Sequence, residues 1–571
     1  MILDLRKDSV LDSSVYESLK QISLDSANEF NSFIGAVSKT MSENLDWWVE
    51  IPASRHTLLS PLFYRFCLLH LIYELIQSGS KIEKVIVDSA ALFRAVNEIK
   101  GKEGLNFEVS YSGGKLTGIF PNFIKSTIRS LWFCKQKLPL FWAAKKTSPI
   151  SQNQQKNNLI LIDLIVSPGF ITKDRYYPGL WTKLNSEQKK RTFFVPTLLM
   201  MKEKEFEAAY HELRTSDKNF LIKEDYLTLS DLLYSQLHIF RIWFIKLPPQ
   251  EVLGIDFSPL IREELLSGGG FNNAIEGLLN YRFAKRLKEK SFNLSLIIDW
   301  WEGQPLDKGW NLGFHTFFPK TPRKGYLGFT PRTMEIHLRP TESEVKYGAA
   351  PETISTIGEQ FSKEMKSTNS PFKAETAPAF RFNHIWENRA DQDQASGTFK
   401  ILMALSIMVD ESVNILEKVI ESSLDFERDG IEFLIKPHPA TTVDKLKSRF
   451  LGTWPHHFQV VEGPTPNYIR MSDLLITGMS SVGLEAVVLG TPVIVVETTR
   501  GLAYDPIPDS VPKELWRNCR SSEEISEAIN IFRNHSPEEV RGHQELSSKI
   551  KKDYFEPVTK EGIYRFLELK D

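Results

Sequence analysis

Cysteine is scarce in this sequence, which contains only Cys67, Cys134 and Cys519. Three thiols so far apart supply neither a disulfide framework nor the paired ligands of a structural zinc site. No cluster of Asp, His or Cys has the spacing of metal ligands either, so we expect no metal and no other cofactor. This composition fits a reducing cytoplasm, and the first residues, MILDLRKDSVLDSS, lack the pattern of a signal peptide. We therefore expect a cytoplasmic protein.

An excess of one charge is also lacking, because 70 Lys and Arg residues balance 72 Asp and Glu residues to a net charge of -2. A balance of this kind gives no reason to expect nucleic acid as a partner. The hydrophobic content of 42% and the charged content of 25% are those of an ordinary globular protein. At 571 residues the chain is too long for one core, so we expect two domains.

Apolar runs long enough to span a membrane are nearly absent. The one candidate, LLITGMSSVGLEAVVLGTPVIVV at 474–496, contains a single charge, Glu485. Its turn formers, among them Gly478, Gly490 and Pro492, stand where a strand, a short helix and a second strand would meet. A spanning helix needs about 20 apolar residues without such interruptions. The stretch therefore predicts a βαβ unit.

Similar apolar runs alternate with helical patterns in both halves of the chain, which is typical of α/β layers with parallel strands. The predicted strands are 84–89, 158–165, 191–199, 294–300, 399–406, 431–439, 458–463, 473–478 and 492–497. A polar segment with two Pro residues and a final Gly, 367–397, is interpreted as an interdomain connection. We predict a first domain over 1–380, a second over 395–545 and a helical tail over 546–571.

A basic and aromatic stretch, 120–146, lies within the first domain and has six Lys or Arg residues and no acid. A basic amphipathic helix of this kind can lie in a membrane interface, with its cations over anionic lipid. An ordinary surface helix that covers the sheet fits the same pattern. No nucleic-acid motif accompanies the charge.

Two strands of the second domain are each followed by groups that can bind an anion. These are Lys436 and His438 after the first strand, and Thr477, Gly478, Ser480 and Ser481 after the second. Open parallel sheets bind ligands beyond the carboxyl ends of their strands, and a helix start with two hydroxyls can hold a phosphate. Glu485, one turn later, is placed to accept hydrogen bonds from ribose. Taken singly, a Ser pair is also an ordinary helix cap, and His beside Pro an ordinary turn.

The KPHP and SS elements, about 40 residues apart and followed by Glu485 and LGTPVIVVE, resemble the nucleotide-binding domain of GT-B glycosyltransferases. The resemblance is greatest to those that use CMP-activated ulosonic acids, such as bacterial sialyltransferases and Kdo transferases, and it covers about residues 395–540. It implies a GT-B fold, with two Rossmann-like domains and a cleft between them. It also implies that His438, Ser480 and Ser481 bind the donor phosphate. The first half is similar to bacterial O-antigen biosynthesis proteins through DWWEGQPLDKGWNLGFH and GYLGF.

The first domain should supply the catalytic base for an acceptor hydroxyl. Asp299 lies at the carboxyl end of the predicted strand LSLIIDW, and Glu302 and Gln304 follow it, at a place where acids can act as general bases. Glu302 is the first candidate because it lies beyond the strand in a Trp- and Gly-rich loop, with Asp299 and His315 as further candidates and Gln304 as an acceptor ligand. A solvated loop that carries two acids is the alternative.

Arg55 and the pair Asp429 and Gly430 are the other features that bear on this chemistry. Arg55 follows the strand-like DWWVEI at 46–51 and is predicted to pair with a carboxylate of the acceptor or donor. An exposed Arg before a helix that begins at Ser60 is the alternative. Sialyltransferases of this fold often have an acid followed by Asp-Gly, but the only similar text, Asp429 and Gly430, lies in the second domain, so that role is not transferred.

The sequence thus predicts a metal-independent glycosyltransferase that moves a sialic acid-, legionaminic- or Kdo-like sugar from its CMP ester to a surface glycan. It would be cytoplasmic or peripheral on the inner face of the cytoplasmic membrane. Two alternatives stay open. One is a CDP-polyol phosphotransferase of teichoic-acid type, and the other is a non-catalytic scaffold of surface polysaccharide synthesis.

Overall fold

The computed structural model divides the chain into two compact units. Unit 1 comprises Met1–Gly328, Glu335–Arg381 and Pro557–Asp571, and unit 2 comprises Phe329–Met334 and Phe382–Glu556. The last residues, expected to form one tail from 546, are therefore split, because 557–571 return to unit 1. The structure describes residues 1–6, 9–113, 119–148, 156–267, 269–366, 371–387, 398–423, 430–438, 441–450, 454–455, 457–498 and 500–570.

The strands are short, and most pair in parallel with their neighbours. They are β1 Ile2–Asp4, β2 Lys84–Val87, β3 Glu108–Tyr111, β4 Leu159–Val166, β5 Thr192–Leu198, β6 Glu251–Val252, β7 Ile255–Asp256, β8 Leu294–Trp300, β9 Arg323–Leu327, β10 Thr353–Thr356, β11 Lys373–Thr376, β12 Phe399–Ala404, β13 Ile431–Lys436, β14 Phe458–Val460, β15 Leu474–Thr477, β16 Val493–Val496 and β17 Trp516–Cys519. Only the β6–β7 pair is antiparallel among the described strands.

Helices alternate with these strands through both units. They are α1 Ser13–Thr40, α2 Leu45–Trp48, α3 Ile51–Ser54, α4 Leu62–Gln77, α5 Ala90–Lys102, α6 Ile119–Thr147, α7 Ser186–Arg191, α8 Phe206–Thr215, α9 Leu229–Gln236, α10 His238–Arg241, α11 Ser258–Ser267, α12 Phe271–Glu289, α13 Pro305–Phe317, α14 Glu342–Lys346, α15 Glu359–Lys366, α16 Val409–Ser423, α17 Val443–Arg449, α18 Thr465–Met471, α19 Val482–Val488, α20 Ser522–Arg533, α21 Pro537–Tyr554 and α22 Lys560–Phe566.

The main sheet of unit 1 has six parallel strands in the order β11-β10-β9-β8-β4-β5, beside a smaller sheet β1-β2-β3. Counted along the chain, the large sheet has the order 6-5-4-3-1-2, which is a doubly wound arrangement. Its core lies where α12 and α13 pack on β4, β5 and β8, around Phe283, Trp310 and Phe314. Gly277 and Gly309 bring the backbones of the two helices into contact, because a Cβ at Gly309 would overlap the backbone of Gly277.

The sheet of unit 2 has the order β14-β13-β12-β15-β16-β17, again all parallel. Counted along the chain this is 3-2-1-4-5-6, the Rossmann order. The stretch 474–496 forms β15, α19 and β16, and both strands are buried along their whole length. The predicted βαβ unit and the predicted α/β class with two Rossmann-like sheets are therefore confirmed.

One local prediction is wrong. Residues 46–48 lie in α2, which Asn44 caps by accepting the Trp47 N–H, and 49–50 form a turn before α3 begins at Ile51, so 46–51 is not a strand. The predicted connection 367–397 contains β11, the edge strand of the large sheet of unit 1, and also the boundary at which the chain passes from unit 1 to unit 2, between Arg381 and Phe382. The parts 367–370 and 388–397 of that connection, together with Asp429 and Pro439, lie outside the described residues.

Candidate functional site

The strand order of unit 2 places a candidate ligand site at the carboxyl ends of β12 and β15. The chain crosses from β12 to one side of the sheet and later returns to β15 on the other side, which leaves a crevice between these two strand ends. The residues that follow β15 are Gly478, Met479, Ser480 and Ser481. The predicted hydroxyl pair therefore lies at the topological switch point of the sheet.

The loop after β15 is held by a carboxylate of α16. The Met479 N–H donates to Glu411 Oε1 at 2.6 Å, and a Cβ at Gly478 would overlap the same carboxylate. Glycine at 478 is thus required for this close approach. The other oxygen, Glu411 Oε2, is buried without a hydrogen-bond partner. The switch point therefore contains one negative charge that the sequence analysis did not consider.

Ser480 and Ser481 remain half-buried at this point. Ser480 Oγ accepts only a long bond of 3.5 Å from the Val482 N–H. Ser481 is the N-cap of α19, but its side chain makes no capping hydrogen bond. The two hydroxyls therefore contribute little to the stability of the fold. Because α19 has just seven residues, its macrodipole would add little to the binding of a phosphate.

Lys436 and His438 follow β13, which neighbours β12 on the side away from β15. With strands about 4.8 Å apart, β13 and β15 are separated by roughly 10 Å, a span that a phosphate with its attached groups can cover. His438 is half-buried, and its carbonyl accepts the Thr441 N–H at 2.8 Å. Lys436 is buried and reaches the Pro437 carbonyl only at 3.4 Å.

Thr477 and Glu485 are committed to contacts within unit 2. Thr477 is fully buried, and its hydroxyl donates to the Ala404 carbonyl of β12 at 2.8 Å. Glu485 Oε1 lies 2.8 Å from His384 Nε2. The first contact ties two strands together, and the second ties α19 to the segment that enters unit 2. Either side chain would have to leave its partner to bind a ligand.

In unit 1 the corresponding switch point lies between β4 and β8, whose crossovers lead to opposite sides of the sheet. Glu302 is placed just beyond β8 at this point and is half-buried. Its Oε1 accepts the Trp300 indole N–H at 2.8 Å, and its Oε2 accepts a short bond from the Gln304 amide. Gln304 in turn caps α13 together with Asp307.

The electrostatic surroundings of Glu302 favour a basic carboxylate. Burial raises the pKa of Glu302, while the bond from Trp300 and the charge of Arg381 oppose that rise. A carboxylate with a raised pKa takes a proton more readily than an exposed one, which suits a general base.

Asp299 lies deeper than Glu302, within β8, and is buried. Its Oδ2 accepts the Asn311 amide N–H at 2.6 Å, whereas its Oδ1 is buried without a hydrogen-bond partner. The register places Ile162 opposite Ile298, so Asp163 is the next neighbour of Asp299 on β4. Burial raises the pKa of Asp299 well above its usual range and raises that of Asp163 to about 6. Both shifts favour the protonated form of these two acids.

His315 and Arg55 are not brought to Glu302. His315 lies in the last turn of α13, and its Nδ1 is 3.2 Å from Arg323 Nη2. Arg323 begins β9, so His315 lies near the amino ends of the strands, whereas Glu302 lies beyond their carboxyl ends. Arg55 is buried and pairs with Glu344 at 2.6 Å. Its other guanidinium bonds go to Asn31 and to the carbonyls of Ile336 and Arg339. These contacts favour a structural role for Arg55.

Two residues at the switch points were not predicted from the sequence, Glu411 in unit 2 and Arg381 in unit 1. Arg381 lies within the segment 367–397 that was interpreted as a connection, and no local pattern singles out Glu411. Only the folded chain brings them to the strand ends. Within the described residues, no group of three or more His, Cys, Asp or Glu side chains is placed to hold a metal ion. Among the helices described, none is long and apolar enough to cross a bilayer.

The sequence matches no protein-family model and no curated protein. Among solved structures the chain is similar to the S. aureus MnaA–UDP complex, at 12% identity and a TM-score of 0.42, over 72% of this chain and 98% of that one. It is also similar to a trehalose 6-phosphate synthase from Burkholderia multivorans, at 11% identity and a TM-score of 0.41, over 72% of this chain and 97% of that one. For the calicheamicin glycosyltransferase CalG4 the identity is 12% and the TM-score 0.39, over 72% of this chain and 97% of that one. TM-scores below 0.5 carry no inference, so the fold assignment rests on the strand orders.

Proposed function

We propose that the protein is a GT-B glycosyltransferase that moves a sialic acid-, legionaminic-, pseudaminic- or Kdo-like sugar from its CMP ester to a surface glycan. The observation that supports this most is the placement of Ser480 and Ser481 at the switch point of a Rossmann sheet. The carboxyl ends of such sheets bind nucleotides. The sequence resemblance of the same residues to CMP-sugar transferases supplies the choice of nucleotide.

In this proposal the groups of unit 2 hold the leaving nucleotide. The hydroxyls of Ser480 and Ser481 donate to the CMP phosphate, and protonated His438 and Lys436 supply positive charge as the bond to the sugar breaks. These donors must also offset the carboxylate of Glu411, which lies in α16 and accepts the Met479 N–H of the loop after β15. Glu302 of unit 1 accepts the proton of the acceptor hydroxyl. No metal takes part.

The nucleotide preference can be tested by thermal unfolding. CMP is expected to raise the melting temperature more than CDP or UDP at equal concentration, because ligand that binds only the folded state stabilises it. At a concentration about 100 times its Kd the stabilisation is about 2.7 kcal/mol. His438→Ala and the double variant of Ser480→Ala with Ser481→Ala should lose this protection, whereas Ser448→Ala on the exposed side of α17 should keep it.

The same experiments separate the alternatives. Stronger protection by CDP, with no CMP released from CMP-Kdo, CMP-sialic acid, CMP-pseudaminic acid or CMP-legionaminic acid, would favour a CDP-polyol phosphotransferase. A scaffold would show neither protection nor release, and Glu302→Ala and His438→Ala would leave glycan synthesis in cells unchanged. Release of CMP from one donor alone identifies the sugar class.

A contact with the cytoplasmic membrane is the second part of the proposal. On α6, exposed apolar side chains recur at Ile124, Ile128 and Leu131, a spacing that places them on one face. Lys125 and Arg129 are exposed beside them. An apolar face with flanking cations and no acid fits the interface of an anionic bilayer.

A second exposed stripe strengthens this proposal, because α6 packs beside α9 and α10 in unit 1. Along 229–244 the exposed apolar residues are Leu229, Leu233, Leu237, Phe240 and Phe244. Their spacing of three or four keeps them on one side of the helical segment. Contiguous apolar surface of this kind on a folded protein marks a site of interaction.

Sedimentation with lipid vesicles tests the membrane contact. The protein is expected to bind vesicles that contain phosphatidylglycerol and to bind phosphatidylcholine vesicles much less. Leu233→Glu combined with Phe244→Glu should abolish binding, because two charges would enter the apolar face. Met200→Glu is the matched control, since Met200 is as exposed as Phe244, at 81%, and lies elsewhere in unit 1. Equal binding by the double variant and the control contradicts the contact.

A further inference from the structure

Two guanidinium groups lie beside Glu302 at the switch point of the unit 1 sheet. The Arg381 guanidinium carbon is 5.9 Å from the centroid of a Trp300 ring and 6.0 Å from that of Tyr176. The Arg175 guanidinium carbon is 5.9 Å from the same Tyr176 ring. Tyr176 packs edge-on against Trp300, whose indole N–H holds Glu302. The two cations, one aromatic pair and the candidate base therefore form one cluster.

The Arg381 side chain donates no hydrogen bond to any residue that the structure describes. It is half-buried, yet within the described part of the chain its guanidinium makes no hydrogen bond and no ion pair. Arg55, by contrast, is buried and has an acceptor for both of its terminal nitrogens. A guanidinium carries five N–H donors, and those of Arg381 are free to bind an acceptor from outside the protein.

Charge in the cluster also favours an anionic ligand. Burial and the neighbouring charge of Arg175 both lower the pKa of Arg381. The carboxylate of Glu302 only partly offsets the two cations, because it carries one negative charge, and both of its oxygens already accept bonds from Trp300 and Gln304. An oxyanion near Arg381 and Arg175 would relieve their repulsion and supply the missing acceptors.

We propose that Arg381 and Arg175 bind an oxyanion, a carboxylate or a phosphate, carried by the saccharide whose hydroxyl Glu302 deprotonates. Arginine suits this role because its planar fork can bind two oxygens of one carboxylate or phosphate. The role of this saccharide as acceptor rests on the proposed function, but the oxyanion site itself does not. The site would make the protein selective for acidic over neutral glycans.

Calorimetric titration of the full-length protein with glucuronic acid, glucose 6-phosphate and glucose tests this site without any donor. The two anionic sugars are expected to bind and neutral glucose is not, and the tighter of the two anions identifies the group. Arg381→Gln should raise the Kd about ten- to hundredfold, since it removes charge-assisted hydrogen bonds. Arg175→Gln should have a smaller effect because Arg175 is exposed.

Three controls make the result decisive. Arg381→Lys keeps the charge and the fold and should recover only part of the affinity, because a lysine cannot form the paired bonds. Arg94→Gln, on the exposed face of α5, and Arg541→Gln, on the exposed face of α21, should bind the anionic sugars as the wild type does. Wild-type affinity in folded Arg381→Gln, or equal binding of glucose, overturns the proposal. Retained sugar binding without CMP release would instead reject only the glycosyltransferase function.

Discussion

Glu302→Gln is expected to lower kcat for glycosyl transfer by about a hundred- to ten-thousandfold, the usual contribution of a general base. The amide keeps the size of the side chain and can still accept the Trp300 N–H, so the fold and the KM for donor should change little. The measurement is steady-state release of CMP with a saturating donor and acceptor. Glu187→Gln, an exposed acid of α7, is the matched control. A normal kcat in Glu302→Gln would place the base elsewhere.

The pH profile gives an independent check on Glu302. Because burial raises the pKa of Glu302, kcat should rise with pH at values above the ordinary pKa range of a glutamate. Activity should be lost as the pH falls through that raised pKa. Trp300→Phe removes the N–H that stabilises the carboxylate and should move the rise to still higher pH. An unshifted profile in Trp300→Phe would show that the observed titration belongs to another group.

Glu344→Ala is expected to cost about 3–5 kcal/mol in the free energy of unfolding, the largest stability effect we predict. Glu344 Oε2 lies 2.6 Å from Arg55 Nη2, and Glu344 Oε1 lies 2.5 Å from Lys308 Nζ. All three side chains are at most 1% exposed. Removal of the carboxylate would leave two buried cations without their shared partner. Urea unfolding followed by circular dichroism measures the loss, and exposed Glu342→Ala in the same helix is the control.

The same ion cluster makes the free energy of unfolding depend on pH. Burial alone raises the pKa of Glu344, but the charges of Arg55 and Lys308 outweigh it and lower the pKa to about 2. The carboxylate therefore contributes its full stability above the ordinary glutamate pKa, and this contribution is lost as the pH falls from about 4.5 towards 2. Arg55→Ala should likewise destabilise the fold. A change confined to the KM for acceptor would instead support the binding role first expected for Arg55.

The predictable parts of the fold were the strands that are buried on both faces. The prediction for β8 was correct to the residue, and those for β12, β13 and β15 were close to their observed bounds, because interior parallel strands require continuous apolar runs. The strands β9, β10 and β11 were missed, since they are short and contain polar or glycine residues. Their sheet positions come from pairing with neighbours rather than from their own composition.

For the candidate site, the sequence predicted only where its residues lie along the chain. Residues that directly follow a buried strand, such as Ser480 and Glu302, do lie at the two switch points. Their partners were not predictable: Glu485 contacts His384, 101 residues away, and Arg55 contacts Glu344, 289 residues away. Nothing in the local sequence distinguishes a polar side chain with a buried partner from one that faces a ligand.

The sequence by itself determined where the buried strands lie and which polar residues follow them, because an apolar run bounded by turn formers is stable only inside a sheet. The tertiary structure alone decided the order of the strands, and with it which strand ends form a crevice. It also decided that Arg55 and Thr477 are used by the fold while Arg381 retains unused donors. These outcomes depend on contacts between segments far apart in the chain, and such contacts form only when the sheets assemble.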